Sequence, residues 1–527
     1  MADPHNFTRT LITQLQTVSA DVAASELPAY HYHGVPGKDN DNDAVDVATD
    51  LVGQFATSCT PHTFRLGTGA SQFASALLPA LLRARHEVIF VTCFWAKSKS
   101  LSDLSEALIR LATARSTSTS VRPLRIRICL SSRSLLQKLL HTSSRDGYTY
   151  PMTTWVSQLG LPPPDILATG GIDLSVKSLF FLPFSVMHPK YMIVDRQLAF
   201  LPSCNVSWEP WLEDCVEVTG DAVGLLVSFY AQTWGDDLPK WQDERDSLLA
   251  EADNNNALAF APAPQGYDIG HVDEDGPGSV LVRFRSSTAS IPTVILPSSH
   301  HRNPLFRPFP WQDYAPPPPT PLNLAILQLL RTATRRIYIQ SPNLTAEAVI
   351  EDVLAALARG VDVDIVTGEH MMVFEQILTA GTTTSRCIRG LLKRYSALLQ
   401  QGEQNGIGCL TVKYYKYLEQ PRHISDEEQA IISNQAHATP FAPSASTNKS
   451  GFAVDMEQPV QSHVKLSIFD GEHTVLGSGN MDRASFFTSQ ELGILFHSTI
   501  LAEAVRTAVE RVLEGRLKQV YPDSSSG

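Results

Sequence analysis

The sequence lacks the marks of a secreted, membrane-spanning or metal-binding protein. Its N-terminus, MADPHNFTRTLITQLQ, has no apolar core like that of a secretory signal, and no apolar run approaches the ~20 residues of a transmembrane helix. The seven cysteines are widely spaced and form no Cys-x-x-Cys pair, which favours reduced thiols. We therefore expect an intracellular protein, cytoplasmic or peripherally attached to a membrane.

An excess of positive charge is also missing. The chain has 42 Lys and Arg against 54 Asp and Glu, a formal net charge of -12. Because binding to DNA or RNA depends on clustered basic residues, this balance disfavours a nucleic-acid partner, although a local basic groove would keep that alternative open. The 43% hydrophobic and 18% charged residues are typical of a soluble globular protein, and 527 residues are enough for several domain-sized units.

Shifts in composition indicate how the chain is organised. Four consecutive prolines at 316–319 cannot continue a helix or a central strand, and they end a polar stretch that could contain a strand or two, for example Ser279–Arg285. Residues 421–460 are rich in small, polar and acidic residues and are predicted either to form a long mobile loop or to be disordered. The expected units are an N-terminal extension at 1–50, a first lobe at 51–250, an acidic and proline-rich connector at 251–321, a second lobe at 322–520 and a tail at 521–527.

The two predicted lobes resemble each other. Leu81–Phe94 and Leu329–Asn343 each read as the end of a helix followed by a buried strand. Leu104–Leu130 and Val349–Val366 each continue with a helix and another strand. Such alternation predicts parallel strands covered by helices. We therefore predict an α/β fold of two similar lobes, each a mixed β-sheet flanked by helices.

One motif occurs in both halves. Residues 187–205 read MHPKYMIVDRQLAFLPSCN and residues 462–480 read SHVKLSIFDGEHTVLGSGN, so both follow His-x-Lys-x4-Asp-x6-(Gly/Pro)-Ser-x-Asn. A constant interval of 275 residues separates the members, which are His188, Lys190, Asp195, Ser203 and Asn205, then His463, Lys465, Asp470, Ser478 and Asn480. Since His-x-Lys-x4-Asp arises by chance at on the order of one position in 10⁴, two copies within a repeat are a strong signal.

The spacing of the motif predicts a shared local structure. The apolar stretches YMIV and LSIF read as strands that end at an aspartate turn, most clearly at Asp470-Gly471. In a strand, residues i and i+2 face the same side, so each motif histidine should project together with its lysine. A returning strand would then bring the motif asparagine back beside them. We expect Asp195 and Asp470 to form the turns themselves.

These residue types suit phosphodiester chemistry. One imidazole can attack phosphorus to form a phosphohistidine, and a second can protonate the leaving alkoxide. Two lysines and two asparagines can hold the non-bridging oxygens as charge develops. This chemistry requires no metal or cofactor, and no His, Cys and carboxylate cluster has metal-ligand spacing; the isolated pair His31 and His33 reads as an exposed loop.

The motif pair resembles that of the phospholipase D superfamily, and Gly477–Leu495 resembles the cardiolipin synthase and phosphatidyltransferase branch. The resemblance implies a bilobal α/β fold with the active site at the lobe interface, His188 as nucleophile and His463 as acid. An acid beyond each asparagine supports the active-site hairpin or orients a histidine in this family. Glu217 and Glu491, 12 and 11 residues beyond Asn205 and Asn480, are the candidates, with Ser203 and Ser478 as further supporting residues.

The first copy departs from the family pattern in two places. Pro202 replaces the usual glycine and Pro189 lies between His188 and Lys190, so the first strand is expected to be an edge strand or locally bent. The aromatic pairs Trp208 and Trp211, and Phe486 and Phe487, could line a substrate channel or pack in the core.

Three functions are consistent with these features. The leading hypothesis is an enzyme that acts on phospholipids at a membrane periphery, hydrolysing or transferring the phosphatidyl group, with a cardiolipin synthase-like reaction as one version. The second is a nuclease or a nucleic-acid-end phosphodiesterase, which would need a basic channel. The third is an inactive scaffold, suggested by Pro202, the proline run and the acidic loops.

Overall fold

A computed structural model describes residues 55–117, 123–133, 147–181, 185–235, 272–274, 278–284, 290–299, 316–401, 406–418, 446–447, 453–454 and 458–522. The predicted N-terminal extension, His31, His33, residues 251–271 of the connector and most of the 421–460 loop lie outside the described residues.

The described chain alternates strands with helices. The strands are β1 Ala56–Thr68, β2 Glu87–Phe94, β3 Leu124–Ser132, β4 Tyr148–Thr149, β5 Ile172–Ser178, β6 Phe180–Phe181, β7 Ser185–Val186, β8 Tyr191–Val194, β9 Leu198–Pro202, β10 Trp211–Thr219, β11 Val272–Glu274, β12 Val280–Arg283, β13 Ile291–Ser298, β14 Arg336–Ser341, β15 Asp362–Thr367, β16 Leu410–Tyr415, β17 Ser446–Thr447, β18 Ala453–Val454, β19 Gln461–Ser462, β20 Leu466–Phe469, β21 His473–Gly477, β22 Glu491–His497 and β23 Leu517–Tyr521. The α-helices span Gly69–Gln72, Leu78–Arg83, Lys99–Ser116, Pro164–Thr169, Asp221–Trp234, Pro321–Thr332, Glu347–Ala358, Val373–Ala380, Thr384–Gln401, Arg483–Phe487 and Thr499–Leu513, and short 3-10 and π turns span Phe73–Leu77, Met152–Thr154 and Trp155–Leu159.

Local sequence explains the longer elements. In the helix Lys99–Ser116, the side chain of Ser98 caps the N-terminus by accepting from the Leu101 N–H, and leucines at three- and four-residue spacing form its buried face. The preceding strand β2 is buried over most of its length, as expected for a parallel strand covered on both sides. The predicted pattern of helix and strand is confirmed in both halves of the chain.

The strands form one mixed sheet. Nineteen strands of the described residues belong to it. β2 pairs in parallel with β3, and β14 with β15, while the motif hairpins β8–β9 and β20–β21 pair antiparallel beside them. The predicted mixed α/β class and parallel units are therefore confirmed. Because β1 pairs with both β10 and β13, the sheet is continuous between the halves, and the division into two lobes stays a prediction.

The stretch expected to be a connector contributes to this sheet. The predicted strand at Ser279–Arg285 is observed as β12, and a second strand, β13, pairs with β1 and with β22. Both strands are largely buried. This part of the connector is thus core structure, a role that its proline-rich neighbourhood concealed.

The strand boundaries correct two predictions about the motifs. β8 begins at Tyr191 and β20 at Leu466, so each His-x-Lys segment lies immediately before its strand and not within it. β8 also has a partner on each side, β2 and β9, so it is not an edge strand. Pro189 precedes the strand and Pro202 ends β9, which lets the sheet continue around both prolines.

The motif aspartates form the predicted turns. Asp195 and Asp470 have φ values of 50° and 55°, in the left-handed region that aspartate tolerates. The carboxylate of Asp195 accepts hydrogen bonds from three successive N–H groups at the start of β2, those of Arg85, His86 and Glu87. Asp470 accepts equivalent bonds at the start of β14. Each aspartate therefore fastens its hairpin to the neighbouring parallel strand.

No helix within the described ranges combines the length and the apolar composition needed to cross a bilayer.

The role of Asp195 can be tested by stability. We expect Asp195→Ala to lower the thermal unfolding midpoint, because the buried N–H of Glu87 would lose its acceptor, and a buried N–H without one costs about 1–3 kcal/mol. Asp195→Asn should lower it less, because the amide oxygen can still accept. Calorimetry of the two variants measures this, and an unchanged midpoint for Asp195→Ala would refute the fastening role.

Candidate active site

The two motif histidines are held by carboxylates from the opposite halves of the chain. Nδ1 of His188 lies 2.9 Å from Oε2 of Glu491, and Nδ1 of His463 lies 2.9 Å from Oε2 of Glu213. An ionised carboxylate only accepts hydrogen bonds, so Nδ1 carries the hydrogen and Nε2 keeps its lone pair in the neutral imidazole. The two imidazoles are thus oriented in the same way, by crossed hydrogen bonds.

Backbone contacts support each crossed pair. The His188 N–H donates to the carbonyl of Gln490, the residue before Glu491, at 2.9 Å. The His463 N–H donates to the carbonyl of Leu212, the residue before Glu213, at 2.8 Å. Each histidine is therefore fixed to the strand that carries its carboxylate, β22 or β10.

The motif serines complete the two pairs. The Ser203 hydroxyl donates to Oε2 of Glu213, and the Ser478 hydroxyl donates to Oε2 of Glu491, both at 2.5 Å. Each serine side chain also accepts the N–H of the residue after the glutamate, Asp214 or Leu492. The motif serine therefore fixes the carboxylate that orients the histidine of the other half.

Sequence reasoning missed Glu213 and named Glu217 in its place. Glu217 lies farther along β10, where it accepts from the hydroxyl of Thr63 at 2.8 Å, and the structure does not bring it to His463. Glu217 was named because the glutamate was expected at the same distance from the motif asparagine in both halves. In fact Glu213 follows Asn205 by 8 residues, whereas Glu491 follows Asn480 by 11. The difference coincides with the short helix Arg483–Phe487 in the second half. Each motif serine needs a hydrogen-bonding partner, and this requirement is the signal that could have pointed to Glu213.

The lysines and asparagines differ between the halves. Nζ of Lys190 is buried and has no hydrogen-bond partner among the described residues, whereas Nζ of Lys465 donates to the carbonyl of His463 at 2.6 Å. Oδ1 of Asn205 accepts from the Phe94 N–H at the end of β2. Nδ2 of Asn480 donates to Asp482, while its buried Oδ1 has no partner within the described part of the chain. A buried ammonium without a partner is costly, so this site is suited to an anion.

The second half has an additional support. Asp482 caps the helix Arg483–Phe487 by accepting from the Ser485 N–H, and the Ser485 hydroxyl donates to Oε1 of Glu491 at 2.8 Å. Glu491 therefore receives hydrogen bonds from Ser478, Ser485 and His188. Glu213 receives them from Ser203 and His463.

The electrostatics of the histidines favour neutral imidazoles before an anion binds. Burial lowers the pKa of His188, and the charge of Glu491 partly offsets that effect. Burial and the charges of Lys465 and Lys190 hold the pKa of His463 well below its ordinary value. A phosphate bound to the lysines would offset their charges and so favour protonation of a histidine.

The buried charges beside His463 titrate near neutrality. Burial raises the pKa of Glu213 to about 7, although Lys465 opposes this rise. Burial lowers the pKa of Lys465 to about 7, although Glu213 opposes this fall. Asp214, on the same strand, also has its pKa raised by burial to about 7. For Glu491, the raising effect of burial is outweighed by the charge of His188 and by hydrogen bonds from His188 and Ser478, so its pKa is lowered.

The aromatic residues near the motifs have different surroundings. The indole of Trp211 packs on the imidazole of His463, with ring centroids 5.0 Å apart. Trp208 is 68% exposed. Phe486 and Phe487 are buried and pack in the second-half core, so their predicted alternative as core residues is confirmed.

No group of three or more His, Cys, Asp or Glu in the described residues is arranged to hold a metal ion.

Comparisons with known proteins found one matching family model and several solved structures of similar fold. Residues 326–513 match the family model described as cardiolipin synthase, PLD-like domain. No curated protein matches the chain. The crystal structure of phosphatidylserine synthase from Haemophilus influenzae Rd KW20 is similar over 90% of this chain and 91% of its own, with a TM-score of 0.51 and 11% identity, which shows a shared fold.

Two further solved structures are similar to this chain with lower TM-scores. Polyphosphate kinase from Porphyromonas gingivalis aligns with 85% of this chain and 47% of its own, with a TM-score of 0.40 and 10% identity. Nuc from Salmonella typhimurium, a phospholipase D family member, aligns with 38% of this chain and 90% of its own, with a TM-score of 0.23 and 16% identity.

The crossed pair can be tested with two glutamates on one strand. We expect Glu213→Gln to lower kcat on the order of 10²–10⁴-fold, because the imidazole of His463 loses the carboxylate that fixes its tautomer. The matched control is Glu217→Gln, which should stay within about threefold of wild type. Steady-state kinetics on a soluble phosphodiester would compare them, and equal losses in both variants would contradict the assignment.

The pKa values near 7 predict a bell-shaped pH profile. As pH falls through about 7, Glu213 becomes protonated and no longer orients His463; as pH rises through about 7, Lys465 loses the charge that would hold phosphate. We expect kcat/KM to be highest near neutrality. Lys465→Arg, whose side chain stays charged, should move the alkaline limb upward. A flat profile between about pH 5 and about pH 9 would rule out these titrations.

Proposed function

We propose that this chain, whose residues 326–513 match the family model described as cardiolipin synthase, PLD-like domain, is a phosphodiesterase or phosphatidyltransferase of the phospholipase D superfamily that acts on phospholipids through a phosphohistidine. The observation that carries the proposal is the pair of crossed hydrogen bonds, His188 to Glu491 and His463 to Glu213. Two imidazoles whose Nε2 atoms have no hydrogen-bond partner among the described residues, together with two buried lysines, are the groups that a two-step displacement at phosphorus requires.

The first step would form the covalent intermediate. Nε2 of His188 attacks phosphorus, a P–N bond forms, and the P–O bond to the leaving alcohol breaks. His463, protonated at Nε2 once the bound phosphate has offset the lysine charges, gives that proton to the departing alkoxide. The partly exposed side chain of His188 and the buried side chain of His463 support this order. Lys190, Lys465, Asn205 and Asn480 would hold the non-bridging oxygens.

The second step would regenerate the site. Water or an alcohol attacks phosphorus while His463, now neutral, accepts its proton, and the P–N bond breaks to release His188. Water yields phosphatidic acid, and an alcohol yields a new phosphatidyl ester. An acceptor that is itself a phospholipid alcohol, such as phosphatidylglycerol, would make the reaction cardiolipin synthase-like.

The alternatives have less support. The net charge of -12 disfavours a nucleic-acid substrate, and the description of the matched family, cardiolipin synthase, favours a lipid. An inactive scaffold would not need two complete sets of histidine, lysine, glutamate and serine in matching hydrogen bonds. A phospholipid substrate also implies contact with the periphery of a membrane.

The proposal predicts that both histidines are needed for turnover. On mixed phospholipid vesicles with EDTA and a short alcohol, wild type should release phosphatidic acid or the phosphatidyl-alcohol, because imidazoles supply both nucleophile and acid. His188→Asn and His463→Asn should each lower turnover by about 10³-fold or more. Thin-layer chromatography or mass spectrometry of the lipids identifies the product.

Several results would contradict the proposal. Substantial turnover in either variant would refute the single site, and a strict metal requirement would refute the proposed chemistry. Cleavage of single-stranded DNA without any phospholipid product would establish the nuclease alternative. No reaction with any phosphodiester would favour the scaffold.

A further inference from the structure

Exposed apolar side chains are concentrated near the candidate site. Within the described residues, eleven large hydrophobic residues are exposed, and eight of them belong to three segments attached to the site. We call these eight the apolar rim: Met152, Val156, Trp208, Met372, Val373, Phe374, Ile377 and Leu378. Exposed large apolar side chains grouped on a few segments point to a binding surface.

The helix Val373–Ala380 exposes apolar side chains and buries a polar one. Phe374 is 73% exposed, whereas Gln376 is the buried residue of this helix. A helix of a water-soluble protein normally turns its apolar side chains inward. The outward apolar face therefore points to an apolar environment outside the chain.

Hydrogen bonds attach this helix to the second motif. Nε2 of Gln376 donates to Oδ1 of Asn343 at 2.8 Å, and Nδ2 of Asn343 donates to Oδ2 of Asp482 at 3.4 Å. The same oxygen of Asp482 accepts from Nδ2 of Asn480 at 3.0 Å. The helix is thus connected through two side chains to the motif asparagine of the second half.

The first-half part of the rim is attached in a similar way. Met152 and Val156 lie in the turns that end at Leu159, whose carbonyl accepts from Nε1 of Trp95 at 2.9 Å. Trp95 follows Phe94, whose N–H donates to the motif asparagine Asn205. Trp208 is the third residue after Asn205. Segments of the rim in both halves are therefore connected to a motif asparagine.

A basic surface adjoins the apolar helix. Residues 376–402 contain three arginines and one lysine and no acidic residue, in a chain of net charge -12. Arg386, Arg389 and Lys393 are exposed at three- and four-residue spacing on the helix Thr384–Gln401. The backbone N–H and the hydroxyl of Thr384 both donate to Oε1 of Gln376, which fixes the two helices together. The apolar helix itself contains one acid, Glu375.

We propose that the apolar rim and this basic face form a docking surface for an anionic phospholipid bilayer. Apolar side chains would enter the boundary between headgroups and acyl chains, and the basic residues would contact anionic headgroups. In a two-fold dimer this basic face would lie against the same basic face of the second copy, whereas an anionic lipid surface complements its charge. The proposal rests on the proposed phospholipid function, to which it adds the surface that brings the site to its substrate.

Vesicle binding tests the rim. Sedimentation with vesicles of equal parts phosphatidylcholine and phosphatidylglycerol would compare wild type with the triple variant Phe374→Ser, Ile377→Ser and Leu378→Ser. We expect binding to fall at least about tenfold, because three inserted apolar side chains are lost. The matched control, Ile109→Ser with Ile500→Ser, changes exposed isoleucines on helices outside the rim and should bind within about twofold of wild type.

A second variant tests the charge. Replacing Arg386, Arg389 and Lys393 by Gln should weaken binding to the mixed vesicles by about fivefold for each residue, and should leave binding to pure phosphatidylcholine vesicles unchanged. Equal losses on both vesicle types, or no loss, would overturn the role of the basic face.

Further measurements separate docking from catalysis. The rim variant should process a monomeric short-chain phospholipid as wild type does. If wild type binds no vesicles, or the rim variant binds them equally, the docking proposal is wrong, whatever the turnover. If the variant converts a dimer into a monomer with unchanged vesicle binding, the rim is a self-association surface and the proposal is also wrong. Rim-dependent vesicle binding without phospholipid turnover would support docking and refute the proposed function alone.

Discussion

The crossed hydrogen bonds between histidine and glutamate are the constraint on which the rest of the structure depends. His188 needs Glu491, and His463 needs Glu213, so neither motif is complete without the opposite half. The sheet satisfies this requirement because β10 pairs in parallel with β19, directly before His463, and because Met187 bridges to Gln490, directly before Glu491. In the proposed mechanism, the two motif segments are therefore the two sides of one site.

Burial gives this symmetric site an unequal charge distribution. Glu491 is stabilised as a carboxylate, whereas the pKa values of Glu213 and Lys465 both lie near 7. Lys190 has no hydrogen-bond partner in the described part of the chain. In the proposed mechanism, the negative charge of an incoming phosphodiester would offset the positive charges of the two lysines, which lower the pKa of His463. Binding of the substrate and protonation of a histidine are therefore coupled.

The sequence predicted the elements whose signals are local, and missed those set by tertiary contacts. The motif hairpins and the turns at Asp195 and Asp470 follow from apolar runs and turn residues, and all are observed. Glu213 was missed because a three-residue difference between the halves changes its spacing, and it is the hydrogen bonds from Ser203 and His463 that identify it. The outward face of Phe374 was missed because an apolar helical pattern does not reveal on which side the core lies.

The most direct test of the central claim is to trap the covalent intermediate. Wild type turning over a phospholipid with an isotope-labelled phosphatidyl group would be quenched in alkali, where phosphohistidine survives, and its peptides mapped by mass spectrometry. We expect the label on His188, with none in His188→Asn. Label on His463 would reverse the two histidine roles and keep the single site. Label on a serine, aspartate or cysteine, or turnover without any labelled histidine, would contradict a site built from two crossed histidine–glutamate pairs.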